Sequence, residues 1–172
     1  MLGAGKFDQK IERTPQDLGA LLTAAVDDVQ PFIELRHQTL EREWPADLGT
    51  MPLEPIRMRD SLNHLLLNAI KFTSDGGKIR VHAARTADGG ADIAIHDNGV
   101  GIDAAALPHL FEPFFTGLSV EKHSSGVYEF GRQGLGLGLS VVKSFIELHG
   151  GSLTVESTKG QGTTFTIHLP GV

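Results

Sequence analysis

The sequence contains no cysteine, so neither a disulfide nor a thiolate metal site is available to it. It has no block of lysine and arginine, and its formal net charge is -6. That balance argues against sequence-independent binding to nucleic acid or to an anionic membrane surface, so any phosphate it holds must be held locally. No apolar run approaches membrane-spanning length, and Met1 to Lys6 lacks the apolar stretch of a signal peptide. The expectation is a cytoplasmic domain that makes no membrane contact, whatever a longer parent protein carries. No internal repeat or low-complexity tract interrupts the 172 residues, enough for one domain with its own core.

What the chain does have is a clear succession of helical and extended patterns. Residues 1–13 read as a tail or linker and residues 14–172 as one domain. Thr14-Pro15-Gln16-Asp17 predicts a helix start with Thr14 as N-cap, and Leu18, Leu21, Leu22, Ala25, Val26 and Val29 follow at helical spacing toward an end near Pro31. Thr39 to Trp44 alternates like a strand, and Pro45 to Pro55 reads as a loop. From Ile56 to Thr73 the helical period returns. Leu62, Leu65, Leu66, Ala69 and Ile70 form an apolar stripe, and His64, Asn68 and Lys71 line up on the opposite face at i, i+4 and i+7. Lys78 to Ala84 and Asp92 to His96 pair as strands through the Asp88-Gly89-Gly90 turn. Ala104 to Leu107 predicts a short helix, Leu139 to His149 a longer one, and Ser152 to Ser157 and Thr163 to Leu169 two closing strands. Thr116 to Gln133 is polar, aperiodic and long for a connector, which predicts a lid over about residues 116–133.

Three stretches carry chemistry. Asp97-Asn98-Gly99-Val100-Gly101-Ile102 puts a carboxylate at a strand end where the backbone turns sharply. A carboxylate only accepts hydrogen bonds, so it suits an exocyclic amine such as that of adenine and repels the carbonyl of guanine at the same ring position. The same six residues also read as a plain hairpin turn. Gly134, Gly136 and Gly138 leave amides uncovered just before a helix, where an anion such as a polyphosphate is favoured, although such glycines equally suit a helix packed tightly on a sheet. No strand precedes them and no G-x-x-x-x-G-K-[ST] occurs, which disfavours dinucleotide-binding and P-loop architectures. Lastly, Asn68 offers an amide oxygen to a hard cation such as magnesium, with the imidazole of His64 one turn earlier and Lys71 one turn later for phosphate.

His64 to Thr73 resembles the N box of sensor histidine kinases, Asp97 to Ile102 their G1 box, and Leu110 to Phe115 their F box. Gly134 to Leu139 resembles the G2 box and Gly162-Thr163-Thr164-Phe165 the G3 motif. Five motifs in family order, over about residues 14 to 170, make the match specific. The resemblance implies the Bergerat fold shared with gyrase and heat-shock chaperone ATPases, an α/β two-layer sandwich with a mixed β-sheet covered on one face by helices. It implies ATP and magnesium as cofactors. By position, Asp97 would hold the adenine amine, with Gly99, Gly101 and Thr164 shaping that pocket and Phe72 and Ile102 packing near the base. Asn68 would ligate the metal, Lys71 would contact phosphate, and Gly134, Gly136, Gly138 and Leu139 would supply amides to the phosphates. The family's usual residue at position 64 is asparagine; histidine there looks like the chemotaxis kinase class, with a role as base or as orienter.

Such kinases phosphorylate a histidine that sits beside an acidic residue on a dimerising helical hairpin. None of the eight histidines has that setting, so the acceptor is expected on a separate dimerisation and phosphotransfer domain of the same parent protein, with a response regulator downstream. Two rival readings use the same fold. One is a serine kinase of the anti-sigma type, which would need His64 as a base. The other is a nucleotide-gated binding module that performs no chemistry.

Overall fold

The computed structural model describes residues 11–112 and 135–171, apart from the side chains of residues 135–137. The predicted lid, Gly134, the residues of the F box beyond Glu112 and most of the predicted tail lie outside the described residues.

Strand β1 (Thr14–Asp17) leads into α1 (Leu18–Leu35), followed by β2 (Thr39–Glu43), β3 (Thr50–Leu53) and α2 (Pro55–Phe72). Then come β4 (Lys78–Arg85), β5 (Ala91–Asp97), a 3-10 turn at Leu107–His109, α3 (Leu135–Leu148), β6 (Ser152–Thr158) and β7 (Gly162–Leu169). The main sheet has the order β2-β4-β5-β7-β6; β2 runs parallel to β4 and the other pairings are antiparallel. The sheet is therefore mixed, as the family resemblance implies. Side chains alternate with period two: Ile79, Val81, Ala83, Ile93, Ile95, Ile167 and Leu169 are buried with the helices, while Arg80, His82, His96, Thr164 and His168 belong to the open face. Burying so many branched side chains on one face, at roughly 1.5–3 kcal/mol each, leaves one register per strand, because a one-residue slip would turn them all outward.

Several boundaries differ from expectation. Thr14 does not cap α1: it pairs with Leu53 in β1, and Asp17 is the cap, accepting from the amide of Ala20 at 2.9 Å. The β1–β3 pairing draws Thr14 into a strand and moves the helix start three residues on, to Asp17. That partner strand lies inside the stretch predicted as loop, where Pro52 and Pro55 mask the buried pair Met51 and Leu53. Helix α1 continues past Pro31, which in a helix interior costs about 3 kcal/mol. The extra turn buries Ile33 and delivers Arg36, whose guanidinium donates to the carbonyls of Ile70 and Thr73 at 2.9 Å each. Hydrogen bonds from a charged donor contribute about 1.5–3 kcal/mol apiece, so the detour is offset. Residues 104–106 form a turn rather than the predicted helix, and α3 starts at Leu135 rather than Leu139.

Candidate functional site

Helix α2 is the spine of the site. His64 is exposed, Asn68 half-buried, and Lys71 only 7% exposed, so the polar face predicted from the sequence runs from solvent into the interior. No protein group among the described residues accepts from the Lys71 Nζ; it lies 5.3 Å over the ring of Phe72, and burial holds its pKa below the usual lysine value. A buried ammonium without an acceptor is costly in the empty domain and fits an anionic ligand. The end of α2 is fixed from outside: His37 takes a left-handed φ of 54°, which carries the chain into Gln38, whose Nε2 donates to the carbonyls of Ile70 and Thr73 at 3.1 and 2.8 Å. Together with Arg36, this clamp satisfies the last carbonyls of the helix. Neither Arg36 nor Gln38 was singled out from the sequence, since their partners lie more than 30 residues away.

At the end of β5, Asp97 is 3% exposed. Burial pushes its carboxyl up to about 6, against the opposing effect of the Gly99 and Thr163 amides. The Gly99 amide donates to Oδ1 at 2.9 Å. The turn that follows presses against α2: the amide of Val100 donates to the Phe72 carbonyl at 3.1 Å, and a Cβ at Gly99 would sit 2.2 Å from that oxygen. Gly101 has φ 74°, and a Cβ there would be 2.2 Å from the Thr158 carbonyl. Only glycine fits at either position.

Ser157 locks this turn to the β6–β7 connection. Its Oγ accepts from the Ile102 amide at 2.8 Å and donates to the Gly162 carbonyl at 3.0 Å, and it meets Thr163 Oγ1 at 2.8 Å. A hydroxyl has one proton, so Thr163 donates in that last contact. Ser157→Ala is expected to lower stability by about 1 kcal/mol or more, because a partly buried amide and carbonyl lose their partner. Urea denaturation checks this.

Thr164 does not line the pocket as the sequence reading predicts. It lies opposite His96 and bonds that ring at 2.8 Å, on the open face of the sheet, while Thr163 is the register partner of Asp97. The alternation of a strand puts neighbouring residues on opposite faces, so the assignment moves by one. Thr164, with Glu43, Arg80, His82, Ala94 and His96, lines a recess of about 390 Å³ on the sheet's far side from Asp97.

Gly136 and Gly138 fall within the first turn of α3, not before it, and Leu139 is a core residue past that turn. Amides at a helix start lack intrahelical partners, so the first turn still presents donors. A Cβ at Gly138 would meet the His64 ring at 3.0 Å, which sets this turn beside the middle of α2. From His64 to Phe72 the helix rises about 12 Å. One end of that span, with Lys71, abuts the Asp97 turn and the other abuts the α3 turn, so the buried carboxylate and the α3 amides stand apart along one helix. Ile102 and Phe72, both expected near the base, flank the Asp97 turn.

These groups fit a nucleotide on their own chemistry: a buried acceptor, a buried cation without an acceptor, and glycines where a side chain would collide. Residues 54–172 match the family model described as histidine kinase-, DNA gyrase B-, and HSP90-like ATPase. The chain belongs to that family. It is 36% identical over 164 residues to the alginate biosynthesis sensor protein KinB of Pseudomonas aeruginosa, covering 94% of this chain and 25% of that protein. It is 38% identical over 169 residues to the circadian input-output histidine kinase CikA of Synechococcus elongatus, covering 97% and 21%. The catalytic domain of histidine kinase ThkA superposes with a TM-score of 0.76 at 24% identity, covering 93% of this chain and 96% of that one. The chain thus spans about a quarter of the length of KinB and is an ATP-binding catalytic domain of the sensor histidine kinase kind.

Proposed function

We propose that residues 14–172 bind ATP with magnesium and pass its γ-phosphoryl group to a histidine on a separate helical dimerisation domain of the same parent protein, in the cytoplasm. From there the phosphoryl group goes on to a response regulator. The observation that carries this reading is the pairing of two buried charged side chains, Asp97 and a Lys71 whose ammonium has no acceptor among the described residues, at the same end of α2. Asp97 accepts from the adenine amine. Lys71 meets phosphate oxygens, and the unpaired first-turn amides of α3, Gly136 among them, hold the phosphate tail in line with the acceptor. Magnesium, when bound, neutralises phosphate charge, and Asn68 is the residue that would hold it. In the transfer, the bond between the γ-phosphorus and the bridging oxygen of ADP breaks as a phosphorus–nitrogen bond to the imidazole forms. The ring proton of the acceptor leaves to solvent. A neutral imidazole is already nucleophilic, so the step needs no strong base.

Single-turnover transfer from γ-labelled ATP to a supplied helical hairpin tests the proposal. The expected product is an acid-labile label on histidine. An acid-stable label on serine would instead support the anti-sigma type of kinase, and tight nucleotide binding without any transfer would support a binding module.

A further inference from the structure

We propose that Arg36 and Gln38 are positioning residues for adenine recognition: they fix the direction of two carbonyls at the end of α2, and through Phe72 they hold the Asp97 turn in place. Resting on the nucleotide reading above, this adds to the site two residues that touch neither the nucleotide nor a reacting atom. Helix α2 ends at Phe72 and the chain leaves it extended at Thr73, with φ -100° and ψ 136°, so the last carbonyls lack partners within the helix. One donor would satisfy each. Instead, the Ile70 carbonyl accepts from Arg36 Nη1 at 2.9 Å and from Gln38 Nε2 at 3.1 Å. The Thr73 carbonyl accepts from Arg36 Nη2 at 2.9 Å and from Gln38 Nε2 at 2.8 Å. A carbonyl oxygen has two lone pairs, so the second donor adds little to satisfaction and fixes the direction of the peptide.

The donors are themselves held. Arg36 Nε donates to Asp75 at 2.6 Å, and the backbone is tied to the turn after α2 by Gly76 N to the Arg36 carbonyl at 3.1 Å and Thr39 N to the Gly77 carbonyl at 2.9 Å. Gln38 is buried and its Oε1 has no partner among the described residues, an arrangement that stability alone does not favour. Between the two fixed carbonyls lies that of Phe72, which accepts from the Val100 amide at 3.1 Å. That contact has no slack, since a Cβ at Gly99 would lie 2.2 Å from the same oxygen. The Gly99 amide in turn donates to Asp97 Oδ1 at 2.9 Å. A tilt of the Phe72 peptide therefore moves Val100 and Gly99, and with them the carboxylate that the adenine amine meets. Hydrogen bonds weaken steeply away from their preferred angle, so a small tilt is enough to weaken that one.

The test compares ATP with purine riboside triphosphate, which lacks the 6-amino group, by calorimetry on the 172-residue chain with magnesium present. The ratio of the two affinities reads the bond between Asp97 and the amine, because the nucleotides share everything else. Gln38→Met and Arg36→Lys each leave both carbonyls one donor, so both variants should fold, with urea midpoints close to that of the native chain. Each should nevertheless lower the ratio about three- to tenfold, through weaker binding of ATP. Unchanged ratios would overturn the proposal. So would equal weakening of both nucleotides, which would make the pair a general support of the helix. Failure of both variants to fold would do the same, because both donors would then be needed to hold the fold itself. A native ratio of one would reject Asp97 as the group that reads adenine, a separate outcome that removes the proposal together with the reading beneath it.

Discussion

Replacing Asp97 by asparagine is expected to abolish ATP binding while making the nucleotide-free domain more stable. The two effects share one cause. The carboxylate is buried, with its pKa raised from 3.8 to about 6, so at pH 7 it is held ionised where water cannot solvate it. A shift of that size corresponds to about 3 kcal/mol. Because the folded pKa lies above the unfolded one, the stabilising contribution is fully present below pH 4 and is lost as pH rises through about 6. An asparagine carries no charge and escapes that loss. It can still accept from the Gly99 amide with its oxygen, which now accepts at 2.9 Å through Asp97 Oδ1. Doing so turns its amino group to where the second carboxylate oxygen was, and that group faces the adenine amine as donor against donor. A mismatch between buried polar groups of this kind costs at least about 100-fold in affinity. Calorimetry with ATP and urea denaturation of the empty domain read the two halves separately. Lost binding with lower stability would mean that the fold had been damaged. The native domain should also bind ATP less tightly below about pH 6, because protonation turns one carboxylate oxygen from an acceptor into a donor.

That opposition between stability and binding explains which parts of the molecule could be read in advance. The strands of the main sheet were legible because one face is buried: Ile93 and Ile95 alternate with Asp92 and Ala94, and the period survives whatever the tertiary contacts are. The α2 stripe was legible for the same reason. The candidate residues Asp97 and Lys71 were singled out by position, the one directly after the alternation of β5 and the other on the polar face of α2, while their burial depends on contacts that the sequence does not display. What was not legible depends on partners distant in sequence. Thr14 reads as the cap until β3 pairs with β1 and leaves that place to Asp17. Ser157 is one serine among several until the Ile102 amide reaches it across 55 residues. Thr163 and Thr164 are adjacent and identical, and only the register against Asp97 and His96 separates the one beside the pocket from the one behind the sheet.

Lys71→Met is expected to produce the second large effect, again with opposite signs in the two states. In the empty domain the ammonium is buried without an acceptor, and methionine offers similar length and flexibility with no charge to desolvate. Stability without nucleotide should therefore rise. Its pH dependence provides the check. Burial lowers the folded pKa of Lys71, so across the alkaline range between the folded and unfolded values the unfolded chain binds more protons and stability climbs with pH. The variant should lack that climb. With nucleotide the balance reverses, because a hydrogen bond between a charged donor and a phosphate oxygen contributes about 1.5–3 kcal/mol, or about 10- to 100-fold in affinity. ATP affinity should fall by that factor while adenosine, which has no phosphate, binds the variant and the native chain alike. Equal losses for both ligands would place Lys71 in the support of the base pocket through its contact with Phe72, and not at the phosphates. Since Asp97 and Lys71 each depress the stability of the empty domain and each gain a partner from the same ligand, ATP should raise the unfolding midpoint of the native chain more than that of either variant.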